Sequence, residues 1–554
     1  LSGSVVIYAT THSPIWRRTM LDESEYIVVE EAKNGQSTCK ILVEGKWRYV
    51  YSKYHPNESL QIPQISPNED CVLLGLGLGH ELSEIRKITS GKITVIDKTP
   101  FFLNHLSKWK SFQVFLNDPL IEFLIGDKYK GKILKNQNTH FIQTNITKFD
   151  LAYYSLVIKF HKNKQQKRKK EKIVFLEHQT IAHDCIDALK ELNYSVTTLE
   201  ITRKENLTLS IAQENPDFVF SINPDSTVLS ACKTLGIPYI FWTVDTPHYQ
   251  LYLKEMIDDN VFAFVYDNDI KNELISKGYK NIFHMPVAVN SRRFDQIEIL
   301  PSDINRYQTQ VSFVGTTGSD NEFNLFQFER HLNTFLLQRI EEIFDEQRKS
   351  GNEQIIQKLV DTELVLELEK QLGPLREEEL LDKRRKLFFL LGRKYNEIER
   401  IKLVQHLSDK YKTKIYGDNA WGNLKGKHLQ FMGFAEHHVE MSKVFRLSKI
   451  NINMTRIFVE SGLPQRVFDV LGSQGFLISN HKKDLENLFS IGKDLVVYRD
   501  LKDLSELIDY FLHHEEKRLE IAQNGYEKVK NEHTYEIRLK KMMSIVKEKL
   551  SSKA

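Results

Sequence analysis

Short apolar runs alternate with helical patterns along the middle of the chain. The runs Ile173–Leu176, Phe218–Ile222, Tyr239–Val244 and Phe262–Tyr266 have the length and side chains of buried strands, and helical segments such as Thr227–Leu235 separate them. This strand–helix alternation predicts a parallel sheet with helices packed on its faces. We therefore expect a doubly wound, Rossmann-like lobe in this part of the chain.

A second α/β block follows and contains a long insertion. Its predicted strands are Gln310–Val314, Lys414–Tyr416, Ile450–Asn453, Gly475–Ser479 and Leu495–Tyr498. Residues 325–407 are rich in Glu, Lys, Arg and Leu at helical spacing, so we predict a helical insertion there. From residue 501 the pattern is helical to the end of the sequence.

The first 160 residues carry a further α/β pattern with a glycine-rich turn. Two predicted strands, Cys71–Leu74 and Lys92–Ile96, flank a short helical segment, and Asp97 ends the second strand. The turn after the first strand contains Gly75, Gly77 and Gly79. Glycines at a tight turn and an acid that can bind ribose hydroxyls are typical of nucleotide folds, although this motif is common. On these residues alone the region fits either an S-adenosylmethionine-dependent methyltransferase or an accessory module without its own active site.

Residues 161–172 separate the first α/β pattern from the second. From Lys162 to Lys172 there are seven basic side chains, one acid and no apolar residue, so we predict a solvated linker; a site for an anionic partner is the alternative. The expected organisation has five parts: 1–160, 161–172, 173–295, 305–500 with the insertion 325–407, and 501–554.

Composition narrows the functional classes. The 554 residues carry a net charge of +3, from 77 basic and 74 acidic side chains, so bulk charge does not favour nucleic-acid binding. The four cysteines form no CxxC pair, which argues against a zinc site or a disulfide framework. We find no apolar stretch of about 18 residues, and Leu1–Thr10 lacks the pattern of a secretory signal, so we expect a cytoplasmic protein.

The segment Ile450–Asn480 contains the strongest candidate chemistry. A predicted strand is followed by a loop containing Ser461 and Gly462, and then by a helix that starts near residue 465. Free N–H groups at a helix N-terminus bind anions, and Arg466 in the first turn can hold phosphate oxygens in a bidentate manner. Asp469 lies on the same helix face and can accept hydrogen bonds from two ribose hydroxyls. An ordinary helix with an Arg–Asp surface pair has the same spacing.

This segment resembles the C-terminal lobe of bacterial glycosyltransferases related to the spore-maturation CgeB proteins. The resemblance rests on the sequence from Ser461 to Leu477, in which the spacing of Pro464, Arg466, Phe468 and Asp469 follows the family pattern. It implies an α/β fold of the GT-B type, with two Rossmann-like lobes and an extra N-terminal α/β domain. It also implies a nucleotide-diphosphate sugar as donor and no metal or other cofactor.

The same resemblance assigns further donor-side and acceptor-side residues. On the donor side it adds Gly315, Thr316, Tyr416 and Gly417. On the acceptor side it adds the stretch that follows the strand Tyr239–Val244, where Asp245 and His248 could orient an acceptor hydroxyl or act as the base. A turn-capping Asp and a surface His explain these two residues equally well.

The first 160 residues resemble the N-terminal domain of bacterial motility accessory factor proteins, which glycosylate flagellin. Tyr51–Pro56 and the glycine turn carry this resemblance. It implies an acceptor protein, flagellin or another surface component, although a glycan acceptor stays open, as do methyltransferase activity and a non-catalytic nucleotide- or sugar-binding adaptor. The sequence leaves the oligomeric state, the sugar, the base and the stereochemistry undetermined.

Overall fold

The computed structural model describes residues 26–43, 45–131, 140–163, 170–177, 181–200, 206–375 and 377–552. Leu1–Thr10 and the central part of the predicted linker, 164–169, lie outside these residues. The chain forms two compact units: one within Leu1–Arg168 and Arg203–Asn215, the other within Lys169–Thr202 and Pro216–Ala554.

The first unit combines a small antiparallel sheet with a parallel one. The antiparallel sheet has the order β1-β2-β3 and the parallel sheet the order β6-β5-β4-β7. The strands are β1 (Ile27–Glu31), β2 (Ser37–Val43), β3 (Lys46–Tyr49), β4 (Cys71–Leu74), β5 (Ile93–Asp97), β6 (Ile121–Ile125) and β7 (His140–Gln143). The helices are α1 (His80–Ile88), α2 (Phe101–Leu106), α3 (Gln113–Leu116), α4 (Leu151–Asn163) and, from the later part of the chain, α6 (Leu207–Glu214), which packs on α4.

The second unit begins with a lobe built on a six-stranded parallel sheet of order β13-β12-β11-β10-β8-β9. Its strands are β8 (Lys172–Leu176), β9 (Ser195–Leu199), β10 (Phe218–Ile222), β11 (Tyr239–Thr243), β12 (Val261–Val265) and β13 (Ile282–His284). Its helices are α5 (Ala182–Glu191), α7 (Ser226–Leu235) and α8 (Asn268–Ser276), and two short helices, α9 (Ser291–Asp295) and α10 (Pro301–Tyr307), lead to the next lobe. We call this the N-lobe.

The C-lobe is a second six-stranded parallel sheet, of order β16-β15-β14-β17-β18-β19. Its strands are β14 (Thr309–Val314), β15 (Thr413–Tyr416), β16 (Leu429–Phe431), β17 (Ser448–Asn453), β18 (Leu477–Asn480) and β19 (Val496–Tyr498). Its later helices are α17 (Glu440–Leu447), α18 (Gln465–Gly472), α19 (Lys483–Leu488), α20 (Leu501–His513), α21 (Glu515–Glu532) and α22 (Tyr535–Ser551). The last helix, α22, returns to the N-lobe and packs on α5.

The predicted insertion is a set of helices between β14 and β15. They are α11 (Glu322–Leu325), α12 (Phe328–His331), α13 (Thr334–Lys349), α14 (Ile356–Leu359), α15 (Thr362–Leu372) and α16 (Lys383–Lys410). The insertion also contacts the N-lobe, because the backbone N–H of Leu380 donates to the carbonyl of Tyr252 at 2.9 Å. Arg385 is 6% exposed and donates to Glu273 of α8 at 2.9 Å and to Glu460 of the C-lobe. This arginine therefore joins carboxylates from both lobes.

The predicted fold class is confirmed: the chain is α/β, with two doubly wound parallel lobes preceded by a further α/β region. Predicted and observed strand ends agree within two residues, because buried apolar runs mark them. Two features differ from the sequence pattern. Helix α4 extends to Asn163 and β8 starts at Lys172, so both ends of the segment predicted as linker are regular structure. The antiparallel sheet β1–β3 was not predicted, because the apolar runs of β1 and β2 are only three residues long and all four residues of β3 are exposed.

Candidate functional site

The N-terminus of α18 opens at the carboxyl edge of the C-lobe sheet. Pro464 is its N-cap residue and supplies no capping side chain, so the first N–H groups of the helix are left without the usual cap. Arg466 lies in this first turn. Its Nε atom is buried without a hydrogen-bond partner, and burial lowers the pKa of its guanidinium to about 10. A half-buried cation whose Nε lacks a hydrogen bond is unfavourable at a helix N-terminus in the free protein, so this geometry fits a site that is completed by an anion.

Two further arginines meet at the same place. Arg400, on α16, donates to the carbonyl of Thr316 at 2.7 Å and to that of Met454 at 3.2 Å. Arg456, in the loop after β17, donates to the hydroxyl of Thr316 at 3.2 Å. We call Arg400, Arg456 and Arg466 the arginine triad.

The triad concentrates positive charge. Burial, together with the charges of Arg456 and Arg466, lowers the pKa of Arg400 to about 9. Burial also lowers the pKa of Arg456. Among the described residues, no carboxylate forms an ion pair within 4.0 Å of any of the three guanidinium groups. Three arginines that form no ion pair with a described carboxylate fit a ligand with several negative charges.

The loop after β14 lies beside the arginine triad. The N–H of Gly315 donates to the carbonyl of Tyr416 at 2.8 Å, and the indole of Trp421 donates to the carbonyl of Gly315 at 2.8 Å. A Cβ atom on Gly417 would lie 2.2 Å from that carbonyl oxygen, so glycine is required at this position by packing. Tyr416 is 2% exposed. Of the four donor-side residues expected in this region, Thr316 alone contacts the triad directly, while Gly315, Tyr416 and Gly417 hold its loop in place.

A cavity of about 190 Å³ lies beside this loop. Its lining includes Thr317, Asp320, Arg393, Arg400 and Arg456. Thr317 is fixed by Asp418, which accepts from its N–H at 2.7 Å and from its hydroxyl at 3.0 Å. The two triad arginines on its wall place the cavity within reach of a ligand bound by the triad.

Asp469 occupies the second turn of α18 and is 2% exposed. Its carboxylate accepts from the amide of Gln465 at 3.0 Å and lies 3.2 Å from Nε2 of His437. Burial lowers the pKa of His437, but the charge of Asp469 and the hydrogen bond to it outweigh burial, so the net pKa is raised. No sequence pattern points to His437, because it lies 32 residues from its partner. Any ribose held by Asp469 would share this carboxylate with His437.

Ser461 and Gly462 lie in a contact between the lobes. The hydroxyl of Ser461 donates to Asp267 at 2.9 Å and accepts from the N–H of Asn268 at 2.9 Å. A Cβ atom on Gly462 would lie 2.9 Å from the ring of Tyr266. Ser461 is 1% exposed, so these two residues join the loop before α18 to the start of α8. These contacts between the lobes are enough to explain why small residues occur at both positions, and binding of a nucleotide-sugar donor is not needed to explain them.

On the N-lobe, Asp245 follows β11 at the carboxyl edge of the sheet. It is exposed, and its carboxylate accepts from the amide of Asn223 at 2.7 Å. The side chain of Asn223 also accepts from the N–H of Val244 at 3.0 Å, which orients the amide. The charge of Asp245 acts on Arg456 across the cleft. His248 starts the 3-10 turn Tyr249–Tyr252 and is half-buried. The structure thus brings Asp245 and the triad to one cleft.

The glycine turn of the first unit is closely packed. A Cβ atom on Gly77 would lie 2.1 Å from the hydroxyl of Tyr51, and one on Gly75 would lie 2.1 Å from Ile146. Phe112 packs similarly against Gly79. Asp97 is 3% exposed and already accepts from the N–H of Leu76 at 2.7 Å, while burial raises its pKa to about 6. Side chains of the unit itself therefore pack against this turn and leave no room for a larger residue at Gly75 or Gly77.

Two searches of the described residues gave negative results. They contain no group of three His, Cys, Asp or Glu side chains placed to hold a metal ion. Within the same residues, no helix combines the length and the apolar character that crossing a membrane requires.

Three solved structures illustrate what the chain is similar to. A glycosyltransferase from Rickettsia africae aligns with a TM-score of 0.43 at 13% identity, covering 69% of this chain and 99% of its own. Anabaena HepE, in complex with UDP and glucose, aligns with a TM-score of 0.41 at 9% identity, covering 69% of this chain and 100% of its own. Sucrose-phosphate synthase from Thermosynechococcus elongatus aligns with a TM-score of 0.37 at 8% identity, covering 88% of this chain and 100% of its own.

Sequence comparison gives one positive result. A search of curated proteins finds no significant match. The model of a family described as glycosyl transferase-like matches residues 394–544, which include Arg400, Arg456, Arg466 and Asp469. In this segment, which holds the arginine triad, the chain is similar to glycosyl transferase-like proteins.

Proposed function

We propose that the protein is a glycosyltransferase that moves a sugar from a nucleotide-diphosphate donor to an acceptor hydroxyl. The observation that carries this proposal is the arginine triad. Arg400 and Arg456 both donate to Thr316, and the charge of Arg466 acts on Arg400. None of the three forms an ion pair with a carboxylate in the described part of the chain. The family match of residues 394–544 supports the same reading, as do the UDP and glucose bound by HepE.

In this reaction the diphosphate is the leaving group. Breaking the bond between the sugar and the diphosphate increases negative charge on the phosphate oxygens, and fixed guanidinium groups stabilise that charge most in the transition state. In many enzymes a divalent cation has this role. Because Arg400, Arg456 and Arg466 supply equivalent positive charge, we propose that the transfer requires no metal ion.

The acceptor would bind on the N-lobe side of the cleft. Asp245, oriented by Asn223 at 2.7 Å, is the candidate for the group that holds or deprotonates the acceptor hydroxyl. His248 is the second candidate, because it lies in the same segment after β11. Asp469 would hold the ribose together with His437. The proposed acceptor is flagellin, another surface protein or a glycan. This part of the proposal depends only on the resemblance of the first unit to motility accessory factor proteins.

Two other functions are less well supported. A methyltransferase would use Asp97 to bind the ribose of S-adenosylmethionine, and this side chain is 3% exposed and already accepts from the N–H of Leu76 at 2.7 Å. A non-catalytic adaptor would bind a nucleotide sugar without cleaving it. Slow donor hydrolysis by the wild-type protein, lost on Arg466→Ala, would exclude the adaptor.

Nucleotide titration tests the proposed site. The triad predicts that a nucleoside diphosphate raises the melting temperature more than the matching monophosphate, and that the nucleoside alone has little effect, because each phosphate adds charge for the arginines. UDP, GDP, ADP and CDP should each be compared with their monophosphates. Arg499→Ala is a suitable control, since Arg499 is 83% exposed and paired only with Asp503. Equal stabilisation by nucleoside and diphosphate would refute the assignment.

A further inference from the structure

The first unit has a free strand edge at β3. This strand pairs on one side with β2 and is the last strand of its sheet. The N–H of Val50 donates to the carbonyl of Cys39 at 2.9 Å, which makes these residues a hydrogen-bonded pair. Bonded and non-bonded pairs alternate along an antiparallel ladder, so the backbone N–H and C=O groups of Trp47 and Tyr49 point away from β2. No described strand pairs with them.

Exposed aromatic side chains lie along this edge. Trp47 is 44% exposed, Tyr49 is 38% exposed and Tyr54 is 45% exposed. The ammonium of Lys40 lies 5.8 Å from the ring centroid of Trp47 and 6.0 Å from that of Tyr49, and Lys33 lies 4.7 Å from that of Tyr54. Several exposed aromatic rings on one short segment are characteristic of an interaction surface.

The segment is also basic. Residues 26–54 carry five cationic and three acidic side chains, so they hold two of the three net positive charges of the whole chain. One of the acids, Glu30, is already engaged by Lys40 at 2.7 Å and by the hydroxyl of Tyr49. The cationic residues are Lys33, Lys40, Lys46, Arg48 and Lys53. This charge is complementary to an acidic partner.

We propose that β3 binds an extended acidic polypeptide, which adds a strand to the sheet. The partner's backbone would pair with the outward N–H and C=O groups of Trp47 and Tyr49, which supplies affinity that does not depend on sequence. The aromatic and basic side chains beside the edge would select an acidic sequence. An exposed edge strand that is left unpaired invites association, and here its chemistry specifies the partner. This inference does not depend on the proposed sugar transfer.

Binding of a defined peptide to the full-length protein tests the proposal. The probe is a labelled dodecapeptide of alternating Thr and Glu, and its control alternates Thr and Lys. We expect the acidic peptide to bind at least tenfold more tightly in fluorescence anisotropy. In hydrogen exchange it should protect the amides of Trp47 and Tyr49, while the amide of Arg48, which faces β2, should not change. Failure of the acidic peptide to bind, or binding without protection at these two amides, would overturn the inference.

A proline variant separates strand addition from simple charge attraction. Trp47→Pro removes an outward N–H without removing a hydrogen bond to β2. We expect this variant to bind the acidic peptide at least tenfold more weakly than wild type. Trp47→Phe keeps both the N–H and an aromatic ring and should bind within threefold of wild type. Tyr510→Ala, an exposed aromatic of the second unit, is the control. Unchanged binding by Trp47→Pro, with the amide of Val50 still protected, would show an ionic contact only and refute strand addition.

Discussion

Replacing Arg466 by methionine should stabilise the free protein and abolish diphosphate binding. The guanidinium has no hydrogen-bond partner for Nε, so truncation breaks no hydrogen bond at that atom. Methionine keeps an unbranched apolar chain of similar length, and it can pack near Phe445, whose ring centroid lies 5.9 Å from the guanidinium carbon. The same variant therefore has opposite effects on folding and on ligand binding.

The pKa of Arg466 determines how large the expected gain in unfolding free energy is. Burial lowers this pKa from 12.5 to about 10, which corresponds to about 3 kcal/mol of unfavourable free energy for the charged form in the folded state. Because the folded pKa is still above neutral, the side chain stays protonated and this cost applies at every pH below about 10. Loss of the contact with the Phe445 ring offsets about 0.5–1 kcal/mol. We expect Arg466→Met to raise the free energy of unfolding by about 2 kcal/mol.

Chemical unfolding of the second unit, with and without a nucleoside diphosphate, measures both effects. The variant should have a higher midpoint without ligand, whereas the increase that the ligand produces in wild type should disappear. Arg499→Met is the matched control, because its side chain is 83% exposed and its removal should change neither quantity. If Arg466→Met destabilises the free protein by more than about 1 kcal/mol and keeps the ligand effect, Arg466 has a structural role and the reasoning fails.

Two further predictions concern the interlobe contact and the histidine beside Asp469. Arg385→Gln leaves the carboxylates of Glu273 and Glu460 without their shared cation. We therefore expect a loss of about 3–5 kcal/mol of unfolding free energy in urea melts. A loss below about 1 kcal/mol would contradict a stabilising role for this contact between the lobes. His437 has a raised folded pKa, so its pairing with Asp469 contributes fully below its unfolded pKa of 6.5 and is lost as pH rises through the folded value. Melting temperatures measured between pH 5.5 and 8.5 should therefore fall more steeply in wild type than in His437→Gln, and equal slopes would refute this contribution.

Local pattern was sufficient to predict the two lobes. The strands of parallel sheets are buried on both faces, so runs such as Phe218–Ile222 and Tyr239–Thr243 are continuously apolar and their positions follow directly from the sequence. The helix after the loop at Ser461 could also be predicted, because Pro464 precedes its first turn and glycines at 472 and 475 end it. The antiparallel strand β3 could not, because it is only four residues long and all four residues are exposed.

Local spacing along the chain is enough to predict the fold class and to place Arg466 and Asp469 on one short helix, since both depend on relations within a few residues. Only the tertiary structure brought Arg400 and Arg456 to Arg466, because these residues come from different elements and meet where parallel strands share a carboxyl edge. It likewise decided that Ser461 joins the lobes and that Tyr51 fills the glycine turn. Contacts between residues far apart in the chain depend on how the sheets and helices pack, and no local pattern specifies them.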